Sequence, residues 1–161
     1  MRPLYVAVCG GGECSPQEAE QAEAVGRLLA EAGAVVVTGG LTGVMEAASK
    51  GAHGAGGTVL GILPQDRHED ANPWCTVVVP TGLGDVRNAL IIRTADAVIA
   101  VDGEYGTLSE IAFALKRGLP VVGLGTWGLR KNGEEVAVIE RARTPDEAVR
   151  TALALARSRR G

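Results

Sequence analysis

Short runs of branched aliphatic residues alternate along this chain with longer amphipathic stretches, the pattern of strands followed by helices. Leu4 to Cys9 reads as the first strand. Ser15-Pro16-Gln17-Glu18 then carries a capping-box signature with proline at the first helical position. That helix runs through Ala22, Val25, Leu28 and Leu29, and Gly33 is placed to end it. Ala34 to Thr38 is a second strand, and Gly39-Gly40-Leu41-Thr42-Gly43 turns into a helix of small residues. Thr58 to Leu63 is a third strand. A polar stretch from Pro64 to Trp74 precedes a short strand from Thr76 to Val79. Gly84 to Thr94 is predicted helical and Ala97 to Val101 extended. Asp102-Gly103-Glu104-Tyr105-Gly106 leads into a helix from Thr107 to Arg117, and Pro120 to Leu124 forms a further strand. After a loop around Trp127 to Glu135, Val136 to Ile139 is the expected last strand. Thr144-Pro145-Asp146-Glu147 repeats the capping signature and opens the final helix.

Strands and helices in this order predict a Rossmann-like α/β fold: a mainly parallel sheet with helices on both faces. The chain has 161 residues with neither a long linker nor an internal repeat, so one domain spanning 1–161 is expected. Aromatic residues make up only 3% of it, which leaves Val, Ala, Leu and Ile to fill the core. The net charge of -3 argues against bulk affinity for nucleic acid or an acidic membrane, and Arg157-Ser158-Arg159-Arg160 reads as a solvated terminus. No apolar run approaches the ~18 residues that span a bilayer, and the N-terminal segment does not read as a signal peptide. Cys9, Cys14 and Cys75 are odd in number and lack C-x-x-C spacing, which points to a reducing cytoplasm and no zinc site. Cys9 reads as a buried strand residue without a base visible beside it. His53 and His68 lack metal-ligand partners at suggestive spacing.

In parallel α/β sheets, ligands bind beyond the carboxyl ends of the strands, where loops enter helices. Gly39, Gly40 and Gly43 form one such turn, and Gly103 and Gly106 before Thr107 form another. Missing side chains allow close approach to the backbone, and the helix beyond offers free N–H groups to an anion. Gly11, within Gly10-Gly11-Gly12, is a third candidate on the same crevice. The bland alternative is that these glycines serve tight turns and close helix–strand contacts. Neither main turn matches G-x-x-x-x-G-K-[ST] or a clean G-x-G-x-x-G, which disfavours a P-loop ATPase and a standard dinucleotide dehydrogenase.

Gly39-Gly40-Leu41-Thr42-Gly43-Val44-Met45, followed by Asp102 to Glu110, resembles the paired motifs of the LOG family. Those proteins are phosphoribohydrolases that release cytokinin bases from nucleoside monophosphates, and many were once called lysine decarboxylases. Asn72-Pro73, Pro80-Thr81-Gly82 and Asp85-Val86-Arg87-Asn88 make the chain most similar to a short bacterial branch related to molybdenum-cofactor carriers. The resemblance implies that Gly103, Gly106 and Thr107 hold a phosphate. It puts Glu110 at the catalytic glutamate and Arg87 at the arginine paired with it. A carboxylate there would stabilise the positive charge that builds on ribose as an N-glycosidic bond breaks. The chain departs from the hydrolase motif at Asp102 and Glu104, where the family has proline and glycine. It departs again at Asp85-Val86, where the hydrolases have His-Glu, and at Leu41, where the carrier-like branch usually has glycine.

Two functions follow. One is a carrier of a phosphorylated, nucleotide-like or pterin-type ligand, either a nucleoside monophosphate or a molybdopterin-type molecule; the other is a nucleoside 5′-monophosphate phosphoribohydrolase. Neither needs a cofactor for the fold. Lys50, Lys116 and Lys131 lie away from strand ends, which counts against a pyridoxal-phosphate decarboxylase. Two simpler readings stay open: Thr107-Leu108-Ser109-Glu110 is itself a capping box, and Arg87 could form a surface ion pair. Leu90, Ile91, Ile92, Ile111, Phe113 and Leu115 make two helices apolar over much of their circumference. A homo-oligomer, dimer or tetramer, is expected through them.

Overall fold

The computed structural model describes all 161 residues and places Tyr5–Gly10 (β1) inside the sheet. Period-two alternation splits this strand between two cores. Val6 and Val8 face Pro16–Glu31 (α1), Val44–Gly54 (α2) and Pro145–Arg160 (α5). Ala7 and Cys9 face Arg87–Thr94 (α3) and Tyr105–Lys116 (α4). Burial on both faces explains why the central strands read as unbroken aliphatic runs.

The other strands are Val35–Thr38 (β2), Val59–Leu63 (β3), Val77–Pro80 (β4), Ala97–Val101 (β5) and Val121–Leu124 (β6), followed by the two-residue pieces Arg130–Lys131 (β7), Glu134–Glu135 (β8) and Glu140–Arg141 (β9). The main sheet has the order β4-β3-β2-β1-β5-β6-β9, and every pairing in it is parallel. Strand order reverses between β1 and β5. Their carboxyl ends therefore splay apart and leave the crevice in which ligands of such sheets bind.

The expected capping box at Ser15 is present. Glu18 N donates to Ser15 Oγ at 3.2 Å, and Ser15 N donates to Glu18 Oε2 at 2.8 Å. At α5 the hydroxyl half recurs, with Glu147 N donating to Thr144 Oγ1, but the Glu147 carboxylate takes Arg143 N instead. Helices α1 and α2 cross closely at Gly26 and Gly51: a side chain on Gly26 would overlap the Ala48 carbonyl, and one on Gly51 the Glu23 carbonyl.

Three sequence expectations need correction. The last strand is not Val136 to Ile139. Of that apolar run only Ile139 is buried, and Glu140 and Arg141 do the pairing, opposite Val122 and Gly123. The loop before it contains a hairpin, β7 against β8, turned by Asn132 (φ 53) and Gly133 (φ 82). The predicted helix from Gly84 is a 3-10 turn over Gly84–Val86 followed by α3, because Gly84 has φ 59 and cannot start an α-helix. No helix is long and apolar enough to cross a membrane.

Candidate functional site

Helix α4 begins at Tyr105, two residues before Thr107, and its N-cap is Glu104. This removes the capping-box reading of Thr107 and Glu110, since both lie inside the helix. No side chain caps α4. The first intrahelical bond is from Leu108 N to Glu104 O, so the N–H groups of Tyr105, Gly106 and Thr107 have no partner in the protein. Gly106 faces open space: a Cβ there would find only Asn88 Nδ2, at 3.9 Å. At Gly103 (φ 104) the space a Cβ would need is filled by Thr107, which is buried.

The turn before α4 is built on Asp102, which has φ 45. Aspartate tolerates this left-handed conformation, but proline, held near -65°, could not. The departure from the proline of the hydrolase motif therefore belongs to a different backbone path. Two bonds fix that path: Asp102 N donates to Leu124 O, and Thr126 Oγ1 donates to Asp102 O. Trp127 Nε1 donates to Glu104 O and packs its ring 5.7 Å from that of Tyr105.

The other predicted glycines sit deeper. Gly11, Gly39 and Gly40 are buried. Gly43 (φ 66) lies against the Gly11–Gly12 backbone, and Val44 N donates to Gly11 O at 3.0 Å, locking the first two turns together. Gly40 packs on Leu63, and Gly39 leaves room for the Arg87 guanidinium and Met45. Asn72 holds this turn from outside by donating through its backbone to Gly40 O and through its side chain to Leu41 O. An open crevice of ≈ 620 Å³ is lined by Gly11, Gly12, Glu13, Cys14, Ser15, Glu18 and Glu104. Its rim is acidic.

Arg87 and Glu110 are both buried, at 7% and 8% exposure, and stand close enough to feel each other's charge, but they form no ion pair. Arg87 donates to Ile62 O at 2.8 Å, to Gly39 O at 3.3 Å and to Asn88 Oδ1. Glu110 accepts instead from the Cys9 thiol, Sγ to Oε2 at 3.0 Å. Burial raises the Glu110 carboxyl to about 7 against the pull of the Cys9 hydrogen bond and the Arg87 charge. Burial likewise pushes Cys9 well up, with the Glu110 charge adding to it, so Cys9 is a protonated donor. Cys9 was invisible as a site residue in the sequence because its partner lies 101 residues away. Its alternation with Val8 was the available signal. No group of three or more His, Cys, Asp or Glu side chains is placed to hold a metal ion.

The model of the SLOG cluster4 family matches residues 3–152. The chain belongs to this family. Among solved structures, it is similar to the molybdenum cofactor binding protein of Rippkaea orientalis, with a TM-score of 0.86, 33% identity and coverage of 96% of this chain and 98% of that one. A Moco carrier protein from Chlamydomonas reinhardtii matches with a TM-score of 0.85 and 30% identity, over 98% and 99% of the two chains. An uncharacterised Archaeoglobus fulgidus protein is 42% identical over 92% of this chain and 94% of its own length. The rice cytokinin riboside 5'-monophosphate phosphoribohydrolase LOG is 35% identical over 67% of this chain but only 45% of that relative. These matches agree with the LOG-like motifs and the carrier-related branch read from the sequence. The SLOG cluster4 family thus lies, for this chain, between full-length likeness to cofactor binders and partial likeness to hydrolases.

Proposed function

We propose that this chain binds a phosphorylated, nucleotide-like small molecule of nucleoside monophosphate or molybdopterin type and holds it without turning it over. The observation that carries this reading is the uncapped start of α4. Three free N–H groups, the Thr107 side chain and the open face at Gly106 offer an anion a ready seat. Such a helix end favours negative charge by roughly 0.3–1 kcal/mol at exposed sites. Gly11 lines the same crevice as Glu104, the N-cap of α4, and Gly43 lies against the Gly11–Gly12 backbone behind it, while Gly39 and Gly40 complete that second turn. The full-length likeness to molybdenum-cofactor proteins supports the ligand class.

Arg87 supports holding rather than hydrolysing, because its guanidinium is engaged by backbone carbonyls and Asn88 instead of by Glu110. One observation favours the phosphoribohydrolase as the second reading. A carboxyl raised to about 7 can exchange a proton at neutral pH.

Equilibrium dialysis with AMP and ribose 5-phosphate, and chromatography after incubation with AMP and N6-isopentenyl-AMP, separate the two. Saturable binding with no free base released is the expected result, for the natural chain and for Glu110→Gln alike. Turnover that disappears in Glu110→Gln would replace the carrier by a hydrolase. Absence of binding by any nucleotide, pterin or sugar phosphate would remove the site itself.

A homo-oligomer is part of the same proposal. The single chain does not bury α3 and α4 all round: Leu90 and Phe113 are exposed, and so is Val86 just before α3. Two copies joined there would cover them. Light scattering is expected to report at least twice the 16.5 kDa of one chain, and a monomeric mass would refute the assembly.

A further inference from the structure

A buried contact outside the helix and sheet ladders joins β1 to α4. Cys9 stands just before the first glycine turn, on the face of β1 that carries Ala7 rather than Val6 and Val8. It is 1% exposed, its sulfur lies 3.0 Å from Glu110 Oε2, and that oxygen has no other partner. Oε1 accepts nothing from the protein, yet no fully buried side-chain oxygen is left without a hydrogen bond, so Oε1 keeps contact with solvent. One oxygen is tethered and the other is free.

The groups facing this carboxyl are few. Cys9 reaches it from β1, and Arg87 acts on it from the start of α3, itself influenced by Asp85 from the preceding turn. Since no Arg87 N–H bonds to Glu110, the Cys9 thiol supplies the carboxyl's only hydrogen bond from the protein. An aliphatic residue would satisfy the apolar core around it, but only a donor supplies a bond.

We propose that Cys9 is a positioning residue for Glu110: its S–H holds Oε2 against β1 and leaves Oε1 as the oxygen available to a ligand or water. The last step rests on the phosphoribohydrolase reading, in which Glu110 faces the ligand; the tether itself does not. A hydrogen bond to a carboxylate stabilises the charged form, so it also restrains the upward push of burial.

The test is a carbon-13 NMR titration of the Glu110 side-chain carboxyl in ligand-free protein, assigned by the signal lost in Glu110→Gln. The natural chain and Cys9→Ser, which keeps a donor, are expected to titrate near 7. Cys9→Ala should titrate about one pH unit higher, a roughly tenfold loss in the ratio of charged to neutral carboxyl at pH 7. Cys9→Val, which fills the space without donating, takes its place if the alanine variant does not fold. Equal midpoints in all variants would overturn the proposal, and so would equal shifts in the serine and donor-less variants, the mark of packing alone. Because no ligand is present, a failed dialysis experiment and a failed titration remain separate results.

Discussion

Gly26→Val is expected to destabilise the fold by about 3–5 kcal/mol, a large part of the roughly 5–15 kcal/mol that holds a domain together. Glycine is a poor helix former, and replacing it in mid-helix ordinarily helps by up to ~1 kcal/mol. Here the gain is overwhelmed. A Cβ on Gly26 would overlap the backbone carbonyl of Ala48, and Gly51 makes the reciprocal approach to Glu23. Backbone cannot rotate away as a flexible side chain can, so α1 and α2 would have to separate along the line on which they pack. The change would reach the site as well, because α2 is the helix whose first turn locks onto Gly11. Urea unfolding of Gly26→Val beside Gly54→Ala provides the check. Gly54 is also helical, but a Cβ there meets nothing within 4 Å, so that control should be neutral or slightly stabilised. Equal midpoints for the two variants would show that the crossing can relax.

The parts of this architecture that were legible in the sequence are those set by short-range chemistry. Aliphatic runs bounded by glycine, proline or polar residues gave β1 to β6 within a residue or so at each end, and the Ser15 capping box marked the start of α1. Misreadings arose where two local signals competed. Thr107-Leu108-Ser109-Glu110 has the spacing of a cap, but Glu104 already adopts the extended backbone of an N-cap, and Asp102 absorbs the positive φ of the turn. Val136-Ala137-Val138-Ile139 has the composition of a strand, yet the edge of the sheet pairs only with the two charged residues after it. Asn132-Gly133 is a strong hairpin signal that the brevity of β7 and β8 obscured. Long-range contacts were out of reach for another reason. Nothing local to Cys9 or Arg87 reveals that one is bonded to Glu110 and the other to the ends of β2 and β3; the sheet order brings them together.

Glu110→Gln is expected to be more stable than the natural chain by about 3 kcal/mol at pH 8, with the advantage vanishing near pH 4. In the unfolded chain Glu110 ionises near its ordinary 4.5, whereas in the fold burial holds the carboxyl protonated up to about 7. Between those values the folded state binds more protons than the unfolded one, so rising pH draws stability away. Below 4.5 the carboxyl is neutral in both states and costs nothing extra. Above 7 the whole cost is present and stays constant. Glutamine keeps the shape and can still accept from Cys9, but it carries no charge to bury. Urea denaturation of both proteins at pH 4, 5.5 and 8 isolates this contribution, because every other titrating group is common to the pair. A gap that does not widen with pH would mean that the carboxyl is better solvated than its burial implies. A widening gap would identify Glu110 as a charge held in the fold against its own stability. That outcome would support the reading of Glu110 as a site residue, since the scaffold would be served better by glutamine.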